Sequence, residues 1–142
     1  MLEGMKPKVL LVDDDPEFTE LIAYNLKQRG WEILSAHTGL QGLRLARAGL
    51  PDVILLDVML PDLDGLSVCQ ILNSQPSTND VPVFIVSALD ETWAGTRKSR
   101  ARFSRFFRKP VSMALLADRV QDAFTERQSE IQNRLQEDKY AR

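Results

Sequence analysis

Four short runs of apolar residues punctuate the chain, and each leads into polar groups. Val9-Leu10-Leu11-Val12 runs into Asp13, Asp14 and Asp15, and Val53-Ile54-Leu55-Leu56 runs into Asp57. Val83-Phe84-Ile85-Val86 runs into Ser87, and Phe106-Phe107 leads to Lys109 and Pro110. Unbroken runs of this length predict strands buried on both faces, as in a parallel sheet. Residues 31–36 predict one further, shorter strand.

Between these runs the spacing becomes helical. Asp15-Pro16 pairs a capping acid with a proline at the first helical position, and Phe18, Leu21, Ile22 and Leu26 come next on one face. Thr38-Gly39 opens a second helix, carrying Leu40, Leu43, Leu45 and Ala46 up to Gly49. Residues 59–65 predict a loop containing Pro61, Asp62, Asp64 and Gly65, and residues 66–72 a third helix. Residues 90–102 predict a weak fourth helix, since Trp93 and Gly95 suit a helix interior poorly. A long fifth helix begins near Ser112, with Leu115, Leu116, Val120 and Phe124 expected to face the sheet. The alternation predicts a (βα)5 architecture: a five-stranded parallel sheet with helices on both faces. Past Phe124 the only large apolar residues are Ile131, Leu135 and Tyr140. Residues 8–126 therefore read as the folded domain. Residues 127–142 read as a helical extension, which suits a solvated tail, a linker or a helix that pairs with a partner.

In an open α/β sheet, ligands bind beyond the carboxyl ends of the strands. That rule brings Asp13, Asp14 and Asp57 into one crevice with Ser87 and Lys109. Three carboxylates with a single ammonium repel one another unless a cation neutralises them. Mg2+, a hard ion that takes carboxylates, carbonyls and waters, suits such a donor set. One of the carboxylates is then placed to attack phosphorus, with Ser87 as a hydrogen-bond donor and Lys109 as a point charge.

Composition narrows the setting. The apolar and charged fractions, 44% and 27% of 142 residues, are those of a globular protein. A net charge of −2 gives no case for nucleic-acid binding. The single cysteine, Cys69, excludes an internal disulfide and reads as a packed thiol. No apolar run approaches the roughly 20 residues of a membrane span, and the N-terminal segment lacks a signal-peptide pattern, so a cytoplasmic location is expected. His37, after the second strand, has no visible partner for metal or catalysis.

VLLVDDDP, VILLDVMLPDLDG, VFIVSA and FFRKP, in that order, resemble the receiver domain of two-component response regulators. The resemblance covers about residues 8–126 and implies a flavodoxin-like fold that accepts phosphate from a histidine kinase or phosphotransfer protein. By motif position, Asp57 resembles the phosphoacceptor, and Asp13 and Asp14 the acidic pair that holds Mg2+, Asp14 directly and Asp13 through water. The backbone carbonyl of Met59 resembles a third protein ligand. Ser87 matches the switch hydroxyl, Phe106 the switch aromatic, and Lys109 the family lysine. Lys109-Pro110 matches the family's cis peptide bond. Asp15 reads as a helix cap, Asp62 and Asp64 as loop and turn residues, and Gly65 as serving the loop backbone. Met59 and Leu89, two residues beyond Asp57 and Ser87, offer no group to position water, so self-dephosphorylation is expected to be slow. The chemistry is that of a self-modifying switch rather than a conventional enzyme. A true phosphohydrolase would need an acid where Met59 stands.

The chain departs from the family before its fifth strand, where Arg102 takes a usual glycine position. Arg97, Lys98, Arg100, Arg102, Arg105 and Arg108 make this stretch basic, with no acid between Thr92 and Ala117. The fifth helix carries Asp118, Asp122, Glu126 and Glu130, like charges stacked at four-residue spacing. Such a stripe is expected either to be solvated or to meet something basic, as in a two-fold dimer through the fourth helix, fifth strand and fifth helix. Arg119 resembles a dimer-face arginine of receivers joined to winged-helix DNA-binding domains, but Leu115 stands where the accompanying acid is usual. The alternative function is a receiver-like interaction module whose basic segment binds a partner whatever Asp57 carries.

Overall fold

β1 (Lys8–Val12), β2 (Glu32–Ala36), β3 (Val53–Leu56), β4 (Val83–Ser87) and β5 (Arg105–Arg108) pair in the order β2-β1-β3-β4-β5, every pair parallel. The helices are α1 (Pro16–Gln28), α2 (Gly39–Gly49), α3 (Gly65–Ser74) and α4 (Met113–Tyr140). This computed structural model describes residues 6–90, 92 and 99–140. The predicted fourth helix falls largely on residues 91 and 93–98, outside the described residues, together with Trp93, Gly95, Arg97 and Lys98. Residues 99–102, at its expected end, are not helical.

The period-2 direction of strand side chains divides the core. Leu10, Val12, Ile54, Leu56 and Ile85 meet Leu43 and Ala46 of α2 and Val68, Cys69 and Leu72 of α3. Val9, Leu11, Val53, Leu55 and Phe84 meet Phe18, Ile22 and Leu26 of α1 and Leu116, Val120 and Phe124 of α4. Both faces of the central strands are thus covered, which explains why their sequences show no polar alternation.

Leu115 corrects the expected helix face: it is 41% exposed, and Ala117 is buried in its place. Packing fastens α4 to the sheet. Trp31 stands edge-on to Phe124 at 5.5 Å and donates its indole N–H to Gln121. The exposed Arg29–Asp118 ion pair contributes no more than about 1 kcal/mol. Each buried Leu, Val or Phe of the same helix contributes about 1.5–3 kcal/mol.

The acidic stripe of α4, expected either to be solvated or to meet something basic, is partly paired within the chain. Asp118 meets Arg29 and Asp122 meets Arg119, so two of its four acids have basic partners within the chain. Beyond residue 130, α4 runs on as an exposed helix.

Candidate phosphoryl and metal site

β1, β3 and β4 end side by side, so the residue after each strand is delivered to one edge of the sheet. Asp13 and Asp14 come after β1, Asp57 after β3 and Lys109 after β5, while Ser87 closes β4. Asp13, Asp14 and Asp57 each offer a carboxylate oxygen, and these atoms lie within 4.8 Å of one another. Asp13 and Asp57 are buried and Asp14 is exposed.

Existing bonds distinguish the three acids. Asp13 accepts the Asp15 amide on Oδ1 at 2.9 Å and the Lys109 ammonium on Oδ2 at 2.8 Å. Asp57 accepts the Met59 amide on Oδ1 at 3.0 Å and lies 3.3 Å from Lys109 through Oδ2. Asp14 has no hydrogen-bond partner among the described residues, which leaves both its oxygens for a ligand. Burial pushes the Asp13 carboxyl above its usual 3.8, and the charge of Asp57 adds to this against the hydrogen bonds from Lys109 and Asp15. Burial alone would lower Lys109, but its bond to Asp13 and the charges of Asp13 and Asp57 carry it above 10.5. One ammonium against three carboxylates leaves the crevice acidic. All-oxygen donors at this separation, one of them open to solvent, fit a small hard divalent cation.

The remaining predicted residues surround this cluster. Ser87 is buried, and its Oγ accepts the Leu89 amide at 3.4 Å. The Ser87 carbonyl accepts the Lys109 amide at 2.8 Å, which ties the end of β4 to the lysine. Lys109-Pro110 is cis, as the motif implies. Phe106 is half-buried against the α3 side of the core, with its ring 6.3 Å from that of Phe103. Met59 is 55% exposed. Asp15 caps α1, accepting the Glu17 and Phe18 amides, and Asp64 caps α3, accepting the Leu66 amide.

Gly65 corrects its reading as a loop residue. It is the first residue of α3, and a Cβ there would overlap the Asp57 carbonyl oxygen and come within 2.6 Å of the Val58 Cα. The glycine lets α3 begin directly against the backbone that presents Asp57.

Other contacts were not legible in the sequence. The Phe18 ring lies 4.5 Å from the Lys109 ammonium, although its helical spacing marked it only as core. His37 is exposed, as its reading as a surface residue implies, and contacts the Asp13 carbonyl through Nδ1 at 3.2 Å. Asp62, read as a plain loop residue, accepts two amides at the start of α2. Asn73 clasps the unusual Arg102, accepting its amide at 2.7 Å and donating to its carbonyl at 3.2 Å. This brace joins α3 to the segment before β5, where the family uses a glycine turn.

Residues 9–121 match the family model of the response regulator receiver domain. Over 85 residues the chain is 41% identical to the DNA-binding dual master transcriptional regulator RpaA of Synechocystis sp., covering 60% of this chain and 35% of that protein. It is 35% identical over 116 residues to the response regulator PleD of Caulobacter vibrioides, covering 82% of this chain and 26% of that one. The chain thus spans about a third or less of these relatives' lengths. The magnesium-bound receiver domain of the sensor histidine kinase PA1611 from Pseudomonas aeruginosa superposes with a TM-score of 0.75 at 28% identity, covering 85% of this chain and 99% of that one. The receiver domain of the Francisella response regulator 1452 gives 0.72 at 33% identity, covering 85% and 98%.

Proposed function

Since the chain belongs to the response regulator receiver family, we propose that it is a phosphoacceptor switch in which Asp57 takes a phosphoryl group from a histidine kinase or phosphotransfer protein. The observation that carries this reading is the convergence of Asp13, Asp14 and Asp57 within 4.8 Å, with Lys109 bonded to two of them.

Asp57 is the nucleophile because it ends the central strand, between the acidic pair and Lys109. Its Oδ1 is held by the Met59 amide, which orients the carboxylate. A carboxylate oxygen attacks phosphorus, the bond from phosphorus to the donor nitrogen breaks, and that nitrogen leaves with a proton. Asp14, Asp57 and the Met59 carbonyl would hold Mg2+ directly and Asp13 would act through water. An ion held there would neutralise charge on the phosphoryl oxygens. Lys109 releases part of its hold on Asp57 to meet one of those oxygens, and Ser87 turns its hydroxyl from the Leu89 amide toward another. Movement of Ser87 gives Phe106 room to repack and passes the change to the face formed by β5 and α4. Arg105, Arg108, Glu126 and Glu130 are exposed to a partner or a second copy.

Residues 8–126 form the receiver on this reading, and residues 127–142 a helical extension or linker. Met59 and Leu89 leave no polar side chain to direct water at the phosphorylated Asp57, so dephosphorylation is slow. A reducing, cytoplasmic setting suits the buried free thiol of Cys69. Among the described residues, no helix is long and apolar enough to cross a membrane.

The test is intact mass and elution volume after incubation with Mg2+ and phosphoramidate. One added phosphoryl group, absent with EDTA and absent in Asp57→Asn, supports the reading. No gain in the wild type overturns it.

A further inference from the structure

The loop from Asp57 to Gly65 is a closed hairpin. Met59 donates its amide to Asp57 and bridges to Asp64 across the loop, and the Gly65 amide donates to the Val58 carbonyl at 2.8 Å. Its tip is fastened to a different element. Asp62 accepts the Gly39 amide on Oδ1 at 2.7 Å and the Leu40 amide on Oδ2 at 3.0 Å. A Cβ on Gly39 would approach Leu63 Cβ and Val68 Cγ2 to 3.0 Å, so the start of α2 also packs closely against this loop and α3.

A second strap reaches α2 from the other side of the acidic cluster. His37 contacts the Asp13 carbonyl through Nδ1 and donates its own amide to Gln41 Oε1 at 3.0 Å. Gln41 lies in the first turn of α2, where its amide is capped by Thr38 Oγ1 at 3.1 Å. The first turn of α2 therefore closes a ring: Asp13, His37, Gln41, α2, Asp62, the hairpin, Met59 and Asp57.

We infer that Asp62 is a positioning residue for the acidic site, holding the Asp57–Gly65 hairpin against α2 so that Met59 presents its backbone to the cation. The inference rests on the Mg2+-binding reading above. It is separable from ordinary helix capping, because Thr38 caps the same turn of α2 through the Gln41 amide and, among the described residues, has no side-chain hydrogen bond to the hairpin. Both oxygens of Asp62 are committed to α2, so the carboxylate acts through the loop rather than on the ion. Partners one step removed from a metal's ligands commonly govern affinity through orientation alone.

The experiment is calorimetric titration of Mg2+ into wild type, Asp62→Ala, Asp62→Asn and Thr38→Ala, with thermal unfolding of each. Asp62→Ala is expected to weaken Mg2+ binding about tenfold, as loss of such an orienting partner does. Asp62→Asn keeps one acceptor and is expected to recover part of that affinity. Thr38→Ala is expected to lower the unfolding temperature and leave affinity at the wild-type value. Wild-type affinity in Asp62→Ala, or equal weakening in Thr38→Ala, overturns the inference while leaving the phosphoacceptor reading intact. A wild type that takes up no Mg2+ overturns both.

Discussion

The Lys109 ammonium lies 2.8 Å from Asp13 Oδ2, although the two residues are 96 positions apart and lie at the ends of an edge strand and an interior strand. The pair is largely withdrawn from solvent, with side-chain exposures of 17% and 4%. Lys109 supplies the single positive charge among the residues that converge there. Removing it leaves Asp13 and Asp57 with no cationic partner among the described residues.

Lys109→Met is therefore expected to cost about 3 kcal/mol in urea unfolding without divalent ions, at the lower end for breaking a buried pair. Millimolar Mg2+ should recover part of that loss by replacing the missing charge. With its carboxylate partners ionised, the contribution of the lysine is complete up to pH 10.5 and is lost as pH rises through its higher folded-state value. In acid it is lost as Asp13, raised above 3.8, takes up a proton. Equal stability of Lys109→Met and wild type in EDTA would remove the ammonium from the balance of forces.

Gly65→Ala tests the close approach of α3 to Asp57. The added methyl overlaps backbone rather than a flexible side chain, so the helix start or the Asp57 carbonyl must shift. A loss of about 2–3 kcal/mol is expected, as for overpacking at a site that cannot yield. Weaker Mg2+ binding should accompany it. A stable variant with wild-type affinity would show that the contact relaxes at little cost.

Cys69 is expected to be unreactive while the protein is folded. Its thiol is buried, donates to the Arg102 carbonyl at 3.3 Å, and is pushed from 9.0 up to about 11 by burial. At pH 8 that leaves roughly one hundredth of the thiolate of an unshifted group, and the thiolate is what reacts. Iodoacetamide should modify native protein about a hundredfold more slowly than protein unfolded in urea, and comparable rates would contradict the burial.

Asp62 predicts a pH dependence of the opposite kind to Lys109. The Leu40 and Gly39 amides hold its carboxyl below the usual 3.8. Its contribution to stability is therefore complete above pH 3.8 and vanishes as pH falls through the folded-state value. Wild type should exceed Asp62→Asn in stability at neutral pH and converge on it in acid, where the protonated carboxyl resembles the amide. A constant difference across that range would assign the effect to something other than the ionised form.

Much of the fold was legible because local patterns and global architecture agree. Unbroken apolar runs at 9–12, 53–56 and 83–86 have one stable use in a chain of this size, as strands covered on both sides. Asp15-Pro16 and Thr38-Gly39 marked helix starts that the structure places at those residues. Leu115 is expected on the sheet from its apolar character, but adjacent helical residues do not share a face, and Leu115 stands in line with Asp118 and Arg119 rather than with Leu116, Val120 and Phe124. For the acidic stripe of α4 a solvated face and a basic neighbour were both open, and the pairing of Asp118 with Arg29, 89 positions away, has no local sequence relation that could have chosen between them.

The order of elements and the polar residue after each strand were determined by the sequence alone, since burial and the rule of strand ends leave them little freedom. The convergence of the acidic residues is a consequence of those two facts. Tertiary structure decided how the acids are shared: Asp13 with both oxygens bonded, Asp57 pinned by Met59, Asp14 open. It also decided the roles of Gly65, Asp62, His37, Asn73 and Phe18. Each acts through a contact between separate elements, and close packing of that kind is set by the assembled sheet and helices rather than by any local pattern.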